Sequence, residues 1–234
     1  MTRERLAIDG DKGLMEIRDT SHQPRNPVVR VFANVLSYIF HPLFIPVYLI
    51  WFLMHAEPQL FASFSDKDRM IVLVRFFVIY TFFPLVTVLL AKGLGFLSSI
   101  HMRNQKDRII PYIAFGIYFF WMAYVFRHQP QFAPQVLQLA IAIFIASSLG
   151  LIVNIYMKVS MHGMSMGVAL AFVTMLAFQS AGFTMYLSVA LLLTGLVCTA
   201  RMIASDHTPR EIYTGLLTGI LSMLLAVWAD SILP

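Results

Sequence analysis

Apolar runs of about twenty residues, separated by short polar stretches, recur along most of the chain. They fall at about 32–54, 70–92, 109–127, 136–157, 162–181, 183–201 and 211–231. A helix crossing a bilayer needs about 20 such residues, because in lipid its backbone groups must hydrogen-bond within the segment. The pattern therefore predicts an all-α, polytopic transmembrane bundle of six to seven spans. The first run carries His41-Pro42 and Pro46, so a kink or a partly re-entrant segment is expected there. Pro130 and Pro134 mark a turn between the third and fourth runs. Gln179-Ser180-Ala181-Gly182 makes the fifth and sixth an antiparallel hairpin.

Composition agrees with this class. Of 234 residues, 59% are hydrophobic and only 12% charged, and the mean hydropathy is +0.74. Soluble domains carry about twice that share of charge. The chain divides into a polar N-terminal tail, 1–30, expected to be loosely ordered, and an integral membrane domain, 31–234. The polar, mixed-charge start argues against a cleavable signal peptide. Cys198 is the single cysteine, which excludes a disulfide framework or a zinc-type Cys motif. There is no dinucleotide fingerprint or Walker-type loop, and the basic residues are scattered among apolar runs, so nucleic acid is not an expected partner.

Seven spans place the loops alternately on two faces. One face receives the tail, 93–108, 157–162 and 201–210, and with them thirteen of the seventeen Lys and Arg. The positive-inside rule makes that face cytoplasmic, with the chain in the cell (inner) membrane. Setting aside the six basic residues of the polar stretches described next leaves seven against four.

Three of these loops are rich in groups that bind or transfer phosphate. They are HMRNQKDRIIP (101–111), KVSMHG (158–163) and ARMIASDHTPREIYTG (200–215). Basic residues flanking spans also serve as headgroup anchors, and His162 alone would pass for an interfacial polar residue. His207 and Glu211 are harder to set aside. At i and i+4 their side chains meet on one helix face, with Pro209 suited to the first turn. A carboxylate so placed fixes the histidine's tautomer and raises its basicity. His162, Asp206, His207 and Glu211 also bear the donor atoms of a metal site, but adjacent His and Asp are poor ligand spacing and the arginines repel a cation. Met157, Met161, Met164 and Met166 read as helix packing rather than a soft-metal site.

Arg201, His207 and Glu211, at the spacing R-x5-H-x3-E, resemble the third signature of the type 2 phosphatidic acid phosphatase superfamily, S-R-x5-H-x3-D. Ser160-Met161-His162 is similar to the second, P-S-G-H. Arg108 stands as the arginine of the first, K-x6-R-P, with His101 at its lysine position and Ile109 at its proline. Ala200, Val159, Met161 and Glu211 are the other departures. The resemblance covers about residues 101–225 and marks a divergent member.

The resemblance implies a metal-independent and cofactor-free lipid phosphatase. His207 would attack phosphorus to form a phosphohistidine, and Glu211 would hold its other ring nitrogen. His162 would protonate the leaving oxygen and then activate water. Arg103, Lys106, Arg108, Ser160 and Arg201 would bind the phosphate oxygens, arginine through its planar fork. Asp206 is read as a solvated or salt-bridged loop acid, with Arg210 as a candidate partner. The implied substrate is an anionic phospholipid or isoprenoid phosphate entering from the bilayer, and the protein is a possible homo-oligomer. A lipid phosphotransferase and a non-catalytic anionic-lipid binder or transporter are the alternatives.

Overall fold

In lipid every backbone group needs an internal partner, and the helix ends show where these partners are found. The computed structural model describes residues 5–9, 13–17, 26–100, 102, 104–204 and 207–232. The tail contains an antiparallel hairpin of β1 (Arg5–Asp9) and β2 (Gly13–Ile17), with Arg5 opposite Ile17. This departs from the loosely ordered tail expected above; Asp9-Gly10 between two short apolar runs is a turn signal.

Nine helices follow among the described residues: α1 (Pro27–Ile39), α2 (Ile45–Ala56), α3 (Asp66–Phe77), α4 (Phe83–Gly93), α5 (Lys106–Arg127), α6 (Pro134–Tyr156), α7 (Met161–Gln179), α8 (Thr184–Ala204) and α9 (Pro209–Ile232). A π-helical turn, Val78–Phe82, joins α3 to α4 as one 28-residue unit. With α5 to α9 this unit makes six helices long and apolar enough to cross a membrane. Large apolar side chains such as Ile155, Phe178, Leu192 and Trp228 remain exposed around the outside, the surface expected of an integral membrane protein.

The run expected as one first span is two short helices. Pro42 and Pro46 lack the N–H that would continue α1, and α1 stops at Ile39. Its twelve residues make α2 about 18 Å long, short of a hydrocarbon core of about 30 Å. The carbonyls released at the break are taken up by side chains. Ile39 O accepts from the Tyr48 hydroxyl at 3.2 Å, Leu43 O from Thr81 Oγ1 at 2.6 Å, and Ser37 O from His162 Nε2 at 3.1 Å. Thr81 lies in the π turn just ahead of Pro84, where the missing N–H already disturbs the ladder.

Helix starts are set by local chemistry. Ser65 and Asp68 form a reciprocal capping box on α3, and Ser160 Oγ accepts from Gly163 N–H at 3.2 Å to open α7. At the end of the bundle away from α7's start, Arg75 donates to Gln129 Oε1 at 3.0 Å. Phe64 and Phe132 pack there at 5.1 Å between ring centroids.

Helices α7 and α9 cross at backbone contact. Gly163 and Gly167 face Gly215 and Gly219. A Cβ on Gly219 would stand 2.0 Å from Met164 O, and one on Gly167 2.2 Å from Leu216 O. Two G-x-x-x-G stretches thus hold the helix of His162 against the helix of Glu211.

Candidate active site at one end of the bundle

The described residues of the stretch 94–105 (all but 101 and 103), the loop 157–160 and residues 207–208 ahead of α9 meet at one end, tied by a few buried contacts. Arg108, in the first turn of α5, is buried; its Nε donates to Met102 O at 2.9 Å and its Nη1 to Val159 O. Met102 takes a left-handed φ of 46°, so its carbonyl is presented at the expense of backbone strain. Gln105 and Asn154 exchange two hydrogen bonds through side chain and carbonyl, each 3.0 Å, which fix the loop to α6. Asp107 accepts from the Ser98 N–H and hydroxyl. Ser160 N–H donates to Glu211 O at 3.1 Å and joins the starts of α7 and α9.

His207 precedes α9, and its Nδ1 lies 2.7 Å from Glu211 Oε2. The carboxylate can only accept, so Nδ1 carries the proton and Nε2 the lone pair. The same Oε2 accepts from Thr208 N–H at 3.1 Å while Thr208 Oγ1 accepts from Glu211 N–H at 3.3 Å. Thr208-x-x-Glu211 is therefore a capping box whose carboxylate also orients a histidine. Burial holds His207 down to about 4, with the Lys158 and Arg108 charges adding to it and the Glu211 hydrogen bond opposing it.

His162 opens α7, buried, with Nε2 on Ser37 O. A carbonyl accepts only, so Nε2–H is the donor and Nδ1 bears the lone pair. Ser37 O is available because residue 41 does not return to α1.

These groups line one cavity of about 670 Å³. Its polar end gathers Arg108, Lys158, His162, Arg201 and His207; its remainder is apolar, with Leu49, Leu89, Phe115, Phe119 and Ile143. A charged head and a hydrocarbon chain would both find matching walls. Tyr112, one turn below Arg108, also lines it, its ring seated where a Cβ on Gly150 would come within 2.8 Å.

Of the residues read from the sequence, His162, His207, Arg108 and Arg201 share the cavity, with Glu211 directly behind His207. Lys106 is exposed and does not line it; Ser160 is fully buried and does not line it, its oxygen capping α7. Arg103 and Asp206 lie outside the described residues. Arg30, His41 and Lys158 also line the cavity and were not among the expected site residues. Lys158 was legible from its place two residues before Ser160. His41 stood out only as half of a kinking His-Pro pair. Among the described residues no three His, Cys, Asp or Glu side chains group as a metal site.

No family model, characterised protein or solved structure matches the chain.

Proposed function

We propose that this chain is a metal-independent lipid phosphatase with a divergent type 2 phosphatidic acid phosphatase-like core. The observation that carries the reading is the 2.7 Å His207–Glu211 contact at a cavity that also gathers His162, Arg108, Lys158 and Arg201 and continues into an apolar slot. A carboxylate-oriented, neutral imidazole beside three cations suits in-line attack on a phosphomonoester or diphosphate. His207 Nε2 bonds to phosphorus as the P–O bond to the leaving group breaks, and the proton of a monoanionic phosphoryl group passes through the lone pair of His162 Nδ1 to the leaving oxygen. Water, its proton taken by His162, then cleaves the P–N bond and releases phosphate. The arginines hold the non-bridging oxygens through both stages, when their charge grows. The slot accepts the hydrocarbon part of an anionic phospholipid or isoprenoid phosphate reaching the head from the bilayer. In the seven-span arrangement read from the sequence, the excess of Lys and Arg on these loops favours the cytoplasmic side of the inner membrane for this end.

The test is phosphate release by purified protein in nanodiscs from phosphatidic acid, phosphatidylglycerol phosphate and polyprenyl diphosphates, with and without a chelator. Release that persists in the chelator, together with an acid-labile phosphoryl-enzyme, is the expected result. Binding without release would mark an anionic-lipid binder, and transfer to an added alcohol a phosphotransferase. Because His207 stays neutral down to about 4 rather than 6.5, the acidic arm of kcat/KM belonging to it falls near pH 4. Activity lost on the acid side near pH 6.5 would contradict the buried, neutral nucleophile.

A further inference from the structure

His41 stands in the break between α1 and α2 and lines the same cavity as His162, His207 and Arg201. Its Nδ1 accepts from Leu43 N–H at 3.3 Å, an arrangement Pro42 favours because it has no N–H of its own to offer. An Nδ1 that accepts leaves the proton of the neutral ring on Nε2. Among the described residues no protein group accepts from that Nε2. The ring meets the His162 ring edge-on, 5.4 Å between centroids and 81° between planes. Phe44 packs against it at 6.3 Å, so three neighbours hold its orientation.

The groups facing His41 are cationic or neutral: Arg201, His162 and the apolar ring of Phe44. None favours an imidazolium there, and burial with the Arg201 charge pushes His41 down to about 4. A neutral imidazole that presents N–H donates a hydrogen bond to an anion without giving up its proton. The three histidines then have distinct states. His207 offers a lone pair at Nε2, His162 offers Nδ1, and His41 offers a fixed donor.

We propose that His41 is a further catalytic residue, whose Nε2–H donates to a non-bridging oxygen of the phosphoryl group held between His207 and His162. The assignment rests on the phosphatase reading above. His41 forms and breaks no covalent bond; its contribution is a preorganised dipole aimed at charge that grows as phosphorus is attacked. It also explains why the first apolar run is broken at this point. A continuous helix would give Ser37 O to residue 41 and remove both the His162 anchor and the His41 donor from the cavity.

The experiment compares wild type, His41→Phe and His41→Gln, full length in nanodiscs. It uses phosphatidic acid as substrate, orthovanadate as a phosphoryl probe and thermal melting as a control for folding. Phe keeps an aromatic ring on His162 but has no donor; the Gln amide N–H reaches about where Nε2–H does. The Phe variant is expected to lose about 10–100-fold in kcat/KM and a similar factor in vanadate affinity, while Gln stays within about fivefold of wild type. The Gln variant also keeps both arms of the pH profile, since a neutral donor does not titrate in the reaction.

A folded Phe variant as active as wild type overturns the assignment. So does a folded Gln variant as impaired as Phe, which would reduce His41 to packing, or the loss of one arm of the profile in Gln, which would make it a proton-transfer group. Should Phe fail to fold, the activity and profile of Gln decide by the same criteria. Wild-type protein that releases phosphate from no lipid would instead count against the phosphatase reading. The vanadate affinities then judge His41, and equal values for wild type and Phe would overturn it.

Discussion

Under the proposed phosphatase reading, His207→Ala is expected to abolish phosphate release, with a loss of about 10⁴-fold or more, because it removes the carboxylate-oriented Nε2 lone pair assigned to attack phosphorus. Lipid binding should survive, since Arg108, Lys158, Arg201 and the apolar walls are untouched. Glu211→Gln gives a graded counterpart. Glutamine keeps the shape, yet it loses the charge that stabilises the imidazolium-like product and can present N–H rather than oxygen to Nδ1. An inverted tautomer would put the proton on Nε2, where the lone pair is needed, with a loss of about 10²–10⁴-fold in kcat. It would also leave Thr208 N–H without its acceptor at 3.1 Å, so a small fall in melting temperature accompanies it. Single-turnover phosphate release and lipid binding on the same variants separate these effects. An alanine variant that still turns over at the wild-type rate removes His207 from the chemistry.

The second large effect lies away from any charged group. Gly219→Val places a branched side chain where even a Cβ would sit 2.0 Å from Met164 O, and the obstruction is backbone, which cannot rotate aside. Helices α7 and α9 must separate, and with them go the Ser160 N–H to Glu211 O bond and the registration of His162 against His207. We expect a destabilisation of about 4 kcal/mol or more, within the range of severe overpacking, and loss of activity in whatever fraction folds. Gly195→Val is the control, since a Cβ there meets nothing within 4 Å. Melting temperature and vanadate binding of the pair report the result; equal behaviour of the two variants would contradict a site built on this crossing.

Much of the bundle was legible along the chain. The apolar runs at 109–127, 136–157 and 211–231 reappear as helices Lys106–Arg127, Pro134–Tyr156 and Pro209–Ile232, because twenty apolar residues in sequence have one way to satisfy their backbone in lipid. The link between His207 and Glu211 was legible too, since i, i+4 neighbours on a helix start are a local matter. The G-x-x-x-G stretches GMSMG and GLLTG are a helix-contact signal in the sequence, but which helix each one meets is set only by the fold.

The first apolar run shows the limit. Its prolines announced a disturbance, but whether it bends or breaks depends on who receives the freed carbonyls. Those receivers, Tyr48, Thr81 and His162, lie 9, 38 and 125 residues away from the carbonyls they bond. The same long-range contact turns His41 from a kink residue into a cavity group. Lys106 and Ser160 illustrate the converse. Both sit inside the right stretches, yet helix phase turns Lys106 outward, and the first turn of α7 takes the Ser160 oxygen.

The positions of the six long apolar helices and the His207–Glu211 pair follow from the sequence by itself, because they depend on composition and on neighbours within one helical turn. Which cations share a cavity, which ring nitrogen of His162 and His41 carries the proton, and how closely α7 approaches α9 were decided only in three dimensions. Each depends on a hydrogen bond or a backbone contact between segments far apart in the chain, and no local periodicity encodes such a distance.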